Sequence, residues 1–246
     1  MTALVEPRAR QVDGVGTDDA RWRGLYRAGG VAALISALFI PIQIAVFLVW
    51  PLPDTVAGWF RLLQENRLVG LVDLDLLLVA DNLLLVMVLL ALYAALRRVS
   101  PSGMAIATSL GLLGAVLFVV SNPAVEMLLL SERYAAAATA AQRAALLAAG
   151  EGLLATWQGT AFQVAYIVGS VAGIAVGVVM WRSGSFSRAT AAMAILGNAV
   201  GLGLYVPTVG LYISVFSVVF LEVWYVLVAR RLLQLGRGAP EAATAP

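Results

Sequence analysis

Residues 154–188 read LATWQGTAFQVAYIVGSVAGIAVGVVMW followed by RSGSFSR. From Leu154 to Trp181 no side chain is charged, and Arg182 and Arg188 then flank a short Gly/Ser turn. An uncharged apolar run of about 20 residues is long enough to cross roughly 30 Å of hydrocarbon. In lipid such a run must be helical, because a helix satisfies its own backbone N–H and C=O groups within one segment. The same signal recurs on both sides of this stretch. Apolar runs lie at 28–50, 71–96, 104–123, 189–207 and 210–229. The fold class expected is all-α: a polytopic membrane helix bundle with six transmembrane helices, occupying residues 28–235. The polar ends, 1–27 and 236–246, are expected to be disordered cytoplasmic tails. The first apolar run starts too far from the N-terminus for a cleaved leader and reads as a span.

The arginines orient the expected bundle. Arg8, Arg10, Arg21, Arg23, Arg27, Arg97, Arg98, Arg182, Arg188, Arg230, Arg231 and Arg237 fall on one side of a six-span topology. Only Arg61, Arg67, Arg133 and Arg143 fall on the other. An excess of twelve over four is a positive-inside pattern, which places both termini in the cytoplasm and the chain in the plasma membrane. Trp22, Trp50, Trp59, Trp157 and Trp181 sit near the expected interfaces, where indole rings anchor.

Composition narrows the chemistry. Of 246 residues, 61% are hydrophobic and 12% charged, against about 25% charged in soluble domains, so lipid is the expected solvent and partner. There is no cysteine and no histidine. Disulfides, the usual nitrogen and sulfur zinc sites and histidine-based hydrolytic triads are thereby excluded. Neither a metal nor another cofactor is expected. The net charge of +2, with no basic stripe away from helix ends, does not suit nucleic acid. Any chemistry must rest on carboxylates, amides, hydroxyls, tyrosines and arginines.

Two connections on the side away from the tails are longer than turns. Residues 51–67 open with Pro51 and Pro53, then Asp54 as a candidate N-cap, and Val56, Trp59, Phe60 and Leu63 follow at helical spacing. Residues 131–152 are alanine-rich, with Thr139 and Gln142 at capping-box spacing and Gly150 as a candidate stop. Both are expected to be short interfacial helices, the second a spacer or a cover over the bundle.

Small residues recur every fourth position at Ala161, Ala165, Gly169, Gly173 and Gly177, at Gly103, Ala107, Gly111 and Ala115, and at Gly29, Ala33 and Ala37, the last row continuing to Pro41. Such faces let helices approach closely in lipid. The fourth span, with the longest stripe, is expected to be the central helix.

Polar residues inside spans are costly and mark sites or interhelical hydrogen bonds. Counting from the arginine anchors at about 1.5 Å per residue places Glu222 and Asn198 at similar depths on consecutive antiparallel spans, where they are expected to meet. Asp81 and Asn82, with Gln43, Asn122 and Gln158, come from four spans at comparable depths nearer the other face. These five are expected to line a polar cavity open to the outside, with interhelical hydrogen bonding as the alternative. Asp73 and Asp75 fall outside the hydrocarbon by the same count. No residues are assigned as catalytic or as metal ligands.

The run Leu92-Tyr93-Ala94-Ala95-Leu96-Arg97-Arg98, the segment from Gln142-Arg143 to Glu151-Gly152-Leu153-Leu154, the turn Arg182-Ser183-Gly184 with Phe186 and Arg188, and the pair Gly197-Asn198 together resemble the bacterial domain-of-unknown-function family numbered 4386. The likeness covers residues 25–235. It implies a multi-pass bacterial membrane protein and supplies no reaction or catalytic residue. Three functions follow from the sequence: a small carrier or sensor that binds a small ligand or a proton within the bundle, a non-catalytic scaffold or subunit with a membrane-protein partner, and a lipid-modifying enzyme.

Overall fold

The structure, a computed structural model, describes residues 15–237. The tail expectations for 1–14 and 238–246 lie outside the described residues. The described chain is helical, with no strand among those residues. Its helices are α1 (Val15–Val49), α2 (Val56–Glu65), α3 (Arg67–Asp73), α4 (Leu76–Leu96), α5 (Pro101–Ser121), α6 (Ala124–Ala136), α7 (Ala140–Trp157), α8 (Thr160–Ser183), α9 (Arg188–Gly201) and α10 (Gly210–Arg237), with a 3₁₀ turn, Leu202–Tyr205, after α9. Five helical stretches among the described residues are long and apolar enough to cross a membrane: Arg21–Val49 within α1, α4, α5 with α6, α7 with α8, and α10.

Several boundaries differ from the sequence reading. The fourth run, read as one span from 154, is broken at Gln158 and Gly159 between α7 and α8. Helix α10 continues past 229 to Arg237, and the first two runs differ near their starts. Residues 15–27, read as tail, continue α1 toward its N-terminus. The second apolar run, read as one helix from 71, is broken at Leu74 and Asp75, where Asp75 adopts φ 63°. Aspartate tolerates this left-handed conformation better than most residues, so it can end α3 and start α4 without glycine. Pro101 sits in the first turn of α5, where its missing N–H is harmless.

Six helices form a closed ring. α1 packs on α4, α4 on α5, α5 on α8, α8 on α9, α9 on α10, and α10 returns to α1. No helix fills the centre, so the expectation of α8 as a central helix is overturned. Its small residues serve three directions instead. Ala165 and Gly169 meet Gly114 of α5, where an added Cβ would lie 3.1 Å from the Ala165 carbonyl. Gly177 lies against Ala191 and Ala194 of α9. A Cβ added at Gly169 would meet nothing within 4 Å.

The arginine-rich end of the ring is filled. Tyr26, Val88, Leu92, Leu96, Met104, Met180, Val228 and Leu232 are buried in one cluster. Gly29 approaches Ala91 and Leu232, and the Arg27 Nε–H donates to the Gly236 carbonyl at 3.0 Å, which ties α1 to α10 there. The Arg97 guanidinium lies 5.0 Å from the centroid of the Trp22 ring, a cation–π contact between α1 and α4. The ring's outer surface is apolar: Leu38, Ile106, Val116, Val120, Leu211, Phe216 and Val219 are all exposed.

At the other end α2, α3, α6 and α7 form a cap with its own core of Val56, Trp59, Phe60, Leu63, Leu74, Ala124 and Met127. The periodicity of Val56, Trp59, Phe60 and Leu63 does define the buried face of α2. Its N-cap is Thr55, whose Oγ1 accepts from the Gly58 N–H at 3.1 Å, and not Asp54. Thr139 and Gln142 form the expected capping box. Gly150 does not stop α7, which runs on to Trp157. It is the contact point between α7 and α2, where an added Cβ would overlap Val56 and crowd Phe60. An ion pair between Arg67 and Glu132 joins α3 to α6 on the surface of the cap.

Candidate functional site

The ring is hollow between its filled end and its cap. A cavity of about 590 Å³ lies there, within the roughly 300–1,000 Å³ of small-molecule sites. Its floor is set by Leu89, Val176 and Trp224, and it takes side chains from all six ring helices and none from the cap helices. The walls are mainly apolar, and glycines make the room: Gly111, Gly114, Gly169, Gly173, Gly197 and Gly201 all border it.

Four of the residues singled out from sequence share this wall: Gln43 of α1, Asp81 and Asn82 of α4, and Asn198 of α9. Glu222 of α10 does not border the cavity; it is half-buried, one helical turn before Tyr225, which bonds Asp81. The two sites expected from sequence, one around Asp81 and one around Glu222, are therefore one region. Arginine counting separated them because α10 continues to Arg237, and its Leu232 lies beside Gly29 at the level of Ala91. Glu222 thus sits farther along the bundle than its distance from Arg230 suggests.

The expected partnership of Asn198 with Glu222 is replaced by local bonding. Asn198 Nδ2 donates to the Ala194 carbonyl of its own helix at 2.8 Å, and its side chain covers Gly173 of α8. Asn122 and Gln158 do not border the cavity. Asn122 ends α5, donates through Nδ2 to the Leu74 carbonyl at 2.6 Å and accepts from the Ala124 N–H at 3.0 Å. Gln158 ends α7, and its carbonyl accepts from Gln163 Nε2 at 3.1 Å. Both residues cap helix ends, a role that a count of residue depth does not reveal.

Sequence reading passed over the two tyrosines that organise the site. The Tyr225 hydroxyl of α10 donates to Asp81 Oδ2 of α4 at 3.2 Å, with Ser36 of α1 beside both groups. Tyr225 is three residues after Glu222, hence on the same helix face, and that spacing was the available signal. Tyr166 of α8 donates to the Gly201 carbonyl at 2.9 Å and lies 2.7 Å from the Ser214 hydroxyl. It thereby links α8, α9 and α10 at the side of the cavity nearer the cap.

The remaining hydrogen bonds leave a one-sided polarity. Gln43 Nε2 donates to the Val72 carbonyl at 2.8 Å, Asn82 Nδ2 to the Leu78 carbonyl at 2.9 Å, and the Ser217 hydroxyl to the Ser214 carbonyl at 2.6 Å. Most donors of the wall are thus committed to the protein itself. Gln43 Oε1, Asp81 Oδ1 and, beside them, Glu222 Oε2 are buried acceptors without a hydrogen-bond partner. The indole N–H of Trp224 and the hydroxyl of Ser36, beside Asp81 and Tyr225, are buried groups able to donate that likewise have no partner.

Asp73 and Asp75 lie apart from the cavity, between α3 and α4. Asp73 is fully buried, and burial raises its carboxyl to about 6. Burial, opposed by the hydrogen bond from Trp157 Nε1 at 3.1 Å, raises Asp75 to about 7, with the neighbouring Asp73 adding to the rise.

No protein-family model matches the chain, and no curated protein and no solved structure matches it either.

Proposed function

We propose that this chain is a six-span plasma-membrane protein with cytoplasmic termini that binds a small ligand or a proton within its helix ring, as a carrier or sensor. The sixth crossing is α9 together with its 3₁₀ turn, 18 residues in all, counted as 14 plus 4. Its place in the ring between α8 and α10 supports that reading, as does the arginine asymmetry. The resemblance to the 4386 family, carried by the residues quoted above, agrees with a multi-pass bacterial protein.

The observation that carries the functional reading is the cavity of about 590 Å³ within the ring, with buried, unpartnered acceptors on its wall. A scaffold has no need of a hollow centre, and close packing would be its more stable arrangement. A carrier or sensor needs such a space, with a few polar groups to fix orientation in an otherwise apolar pocket.

Because the chain has no cysteine, single substitutions report cleanly. In isolated membranes Asn198→Cys is expected to react with the small neutral reagent methyl methanethiosulfonate. Silence there, in protein that reacts once denatured, would mean a filled centre and favour the scaffold. In intact cells Arg143→Cys is expected to react with a membrane-impermeant maleimide, and Arg237→Cys only after lysis. The reverse pattern would invert the topology.

A further inference from the structure

The cavity is bordered by all six ring helices. Of the residues that border it, three are exposed at the outer surface: Ile44 (42%) and Leu48 (79%) of α1, and Val215 (57%) of α10. All three belong to one pair of neighbouring helices. These helices are held together at the arginine-rich end, where Gly29 and Gly30 of α1 meet Leu232 and Leu233 of α10. Toward the cap the same two helices present residues that touch the cavity on one side and the exterior on the other. The exterior around them is apolar, with Ile42, Val49, Tyr212, Phe216 and Val219 exposed. The cavity therefore has a sideways mouth between α1 and α10, framed by side chains suited to acyl chains and not to water.

The chemistry of the interior selects what would enter. An apolar body is matched by Ile40, Phe47, Leu78, Leu85 and Phe118 on the wall. A hydrogen-bond-donating head suits the wall, because Gln43 Oε1 and Asp81 Oδ1 are buried acceptors without a partner, although the Ser36 hydroxyl and the Trp224 indole N–H nearby are donors equally without one. Gln43 is only 4% exposed, so its free oxygen is turned to the interior. Asp81 brings a carboxyl group to the wall, and no residue lining the cavity among the described residues is basic. An acceptor-bearing interior with a buried carboxyl group and no basic residue on its wall suits a cation, whose own charge would hold Asp81 ionised.

We infer that the cavity receives lipophilic amines, molecules with an apolar body and an ammonium head, which enter from the bilayer between α1 and α10 and place the head against Asp81 and Gln43. This rests on the ligand-binding reading above and adds to it the class of ligand and the route.

The test uses the full chain carrying Ser170→Cys, a cavity-wall position, reconstituted in phosphatidylcholine vesicles. Labelling by lipid-soluble N-(1-pyrenyl)maleimide is compared with labelling by the charged, water-soluble (2-sulfonatoethyl) methanethiosulfonate. The pyrene reagent is expected to react and the sulfonate not to. Val215→Trp, or Leu48→Trp from the opposite side of the mouth, is expected to slow the pyrene reaction about tenfold, a change of one decade. Equally fast reaction with the sulfonate, or indifference to both tryptophans, would overturn the lateral route. Dodecylamine is then expected to protect Ser170→Cys at a concentration about tenfold below that of dodecanol, with dodecanoate ineffective. Asp81→Asn is expected to abolish the preference for the amine while leaving protection by dodecanol. Equal protection by dodecanoate, or a preference that survives Asp81→Asn, would overturn the ligand class. Failure of both reagents and of methyl methanethiosulfonate would instead remove the cavity, and the functional reading with it.

Discussion

The Tyr225 hydroxyl reaches from α10 to Asp81 Oδ2 on α4 at 3.2 Å and is the hydrogen bond that spans the wall of the cavity between those helices. Loss of this donor leaves a second buried Asp81 oxygen unpartnered, beside the one that already is. Tyr225→Phe is expected to destabilise the bundle by about 1 kcal/mol, near the upper range for interhelical hydrogen bonds in membranes and typical of hydrogen bonds in general. Thermal unfolding in detergent would measure it. In a double-mutant cycle Tyr225→Phe and Asp81→Asn should be non-additive, since the two groups share one bond. Additive losses would show that the pair is not coupled.

The cap offers a paired glycine test. Gly150→Ala places a methyl group into Val56 and Phe60 and is expected to cost about 1–3 kcal/mol as overpacking. Gly152 lies two residues away on the same helix, and a Cβ there would meet nothing within 4 Å. Gly152→Ala is expected to stabilise α7 by up to about 1 kcal/mol through helix propensity. Limited proteolysis of the cap would rank the variants, and equal protection of the two would refute the packing assignment.

Two further glycines separate packing from cavity. Gly114→Ala presses a methyl group on the backbone of Ala165 and Gly169, which cannot yield as a side-chain tip would. It is expected to loosen the contact between α5 and α8 and lower the melting temperature. Gly169→Ala projects into open space at the cavity and is expected to leave the melting temperature unchanged or raised.

The cap should respond to pH through Asp73 and Asp75, which precede α4. Burial raises both above their ordinary values, to about 6 and about 7. A raised carboxyl means that the unfolded state ionises first. The cap is therefore most stable below pH about 4, where both groups are protonated in either state. Stability falls as pH rises through the window from about 4 to about 7, and the loss is complete above it. Hydrogen exchange in α3 and the first turn of α4 is expected to quicken across that window. Asp75→Asn, which retains an oxygen for Trp157, should flatten the profile. A profile unchanged in that variant would place the dependence elsewhere.

Much of the bundle was legible because lipid imposes a one-dimensional rule: long apolar runs become helices, and arginines mark their ends. The α2 face and the Thr139 capping box were legible because both are local patterns. What escaped the sequence was relative height and the partners of polar groups. Glu222 was placed by its distance to Arg230, yet α10 extends past that point and brings Glu222 beside Asp81. Asn122 and Gln158 looked like interior groups because residue counts cannot distinguish a helix end from a wall. The stripe on α8 suggested a central helix because small residues signal close approach without saying to what. Here they serve two neighbours and an empty space.

The brevity of α9 has a consequence for the surrounding bilayer. Its 14 α-helical residues rise about 21 Å at 1.5 Å each, and the four of the 3₁₀ turn add about 8 Å at 2.0 Å each. That total only equals an average hydrocarbon thickness when the segment stands upright, whereas the 28 residues of α10 have length to spare. As a crossing, α9 can meet a thicker membrane only by drawing lipid inward around itself, while its neighbours can lean or protrude. In the six-span arrangement proposed above, acyl-chain length would then be a mechanical input to the ring at α9.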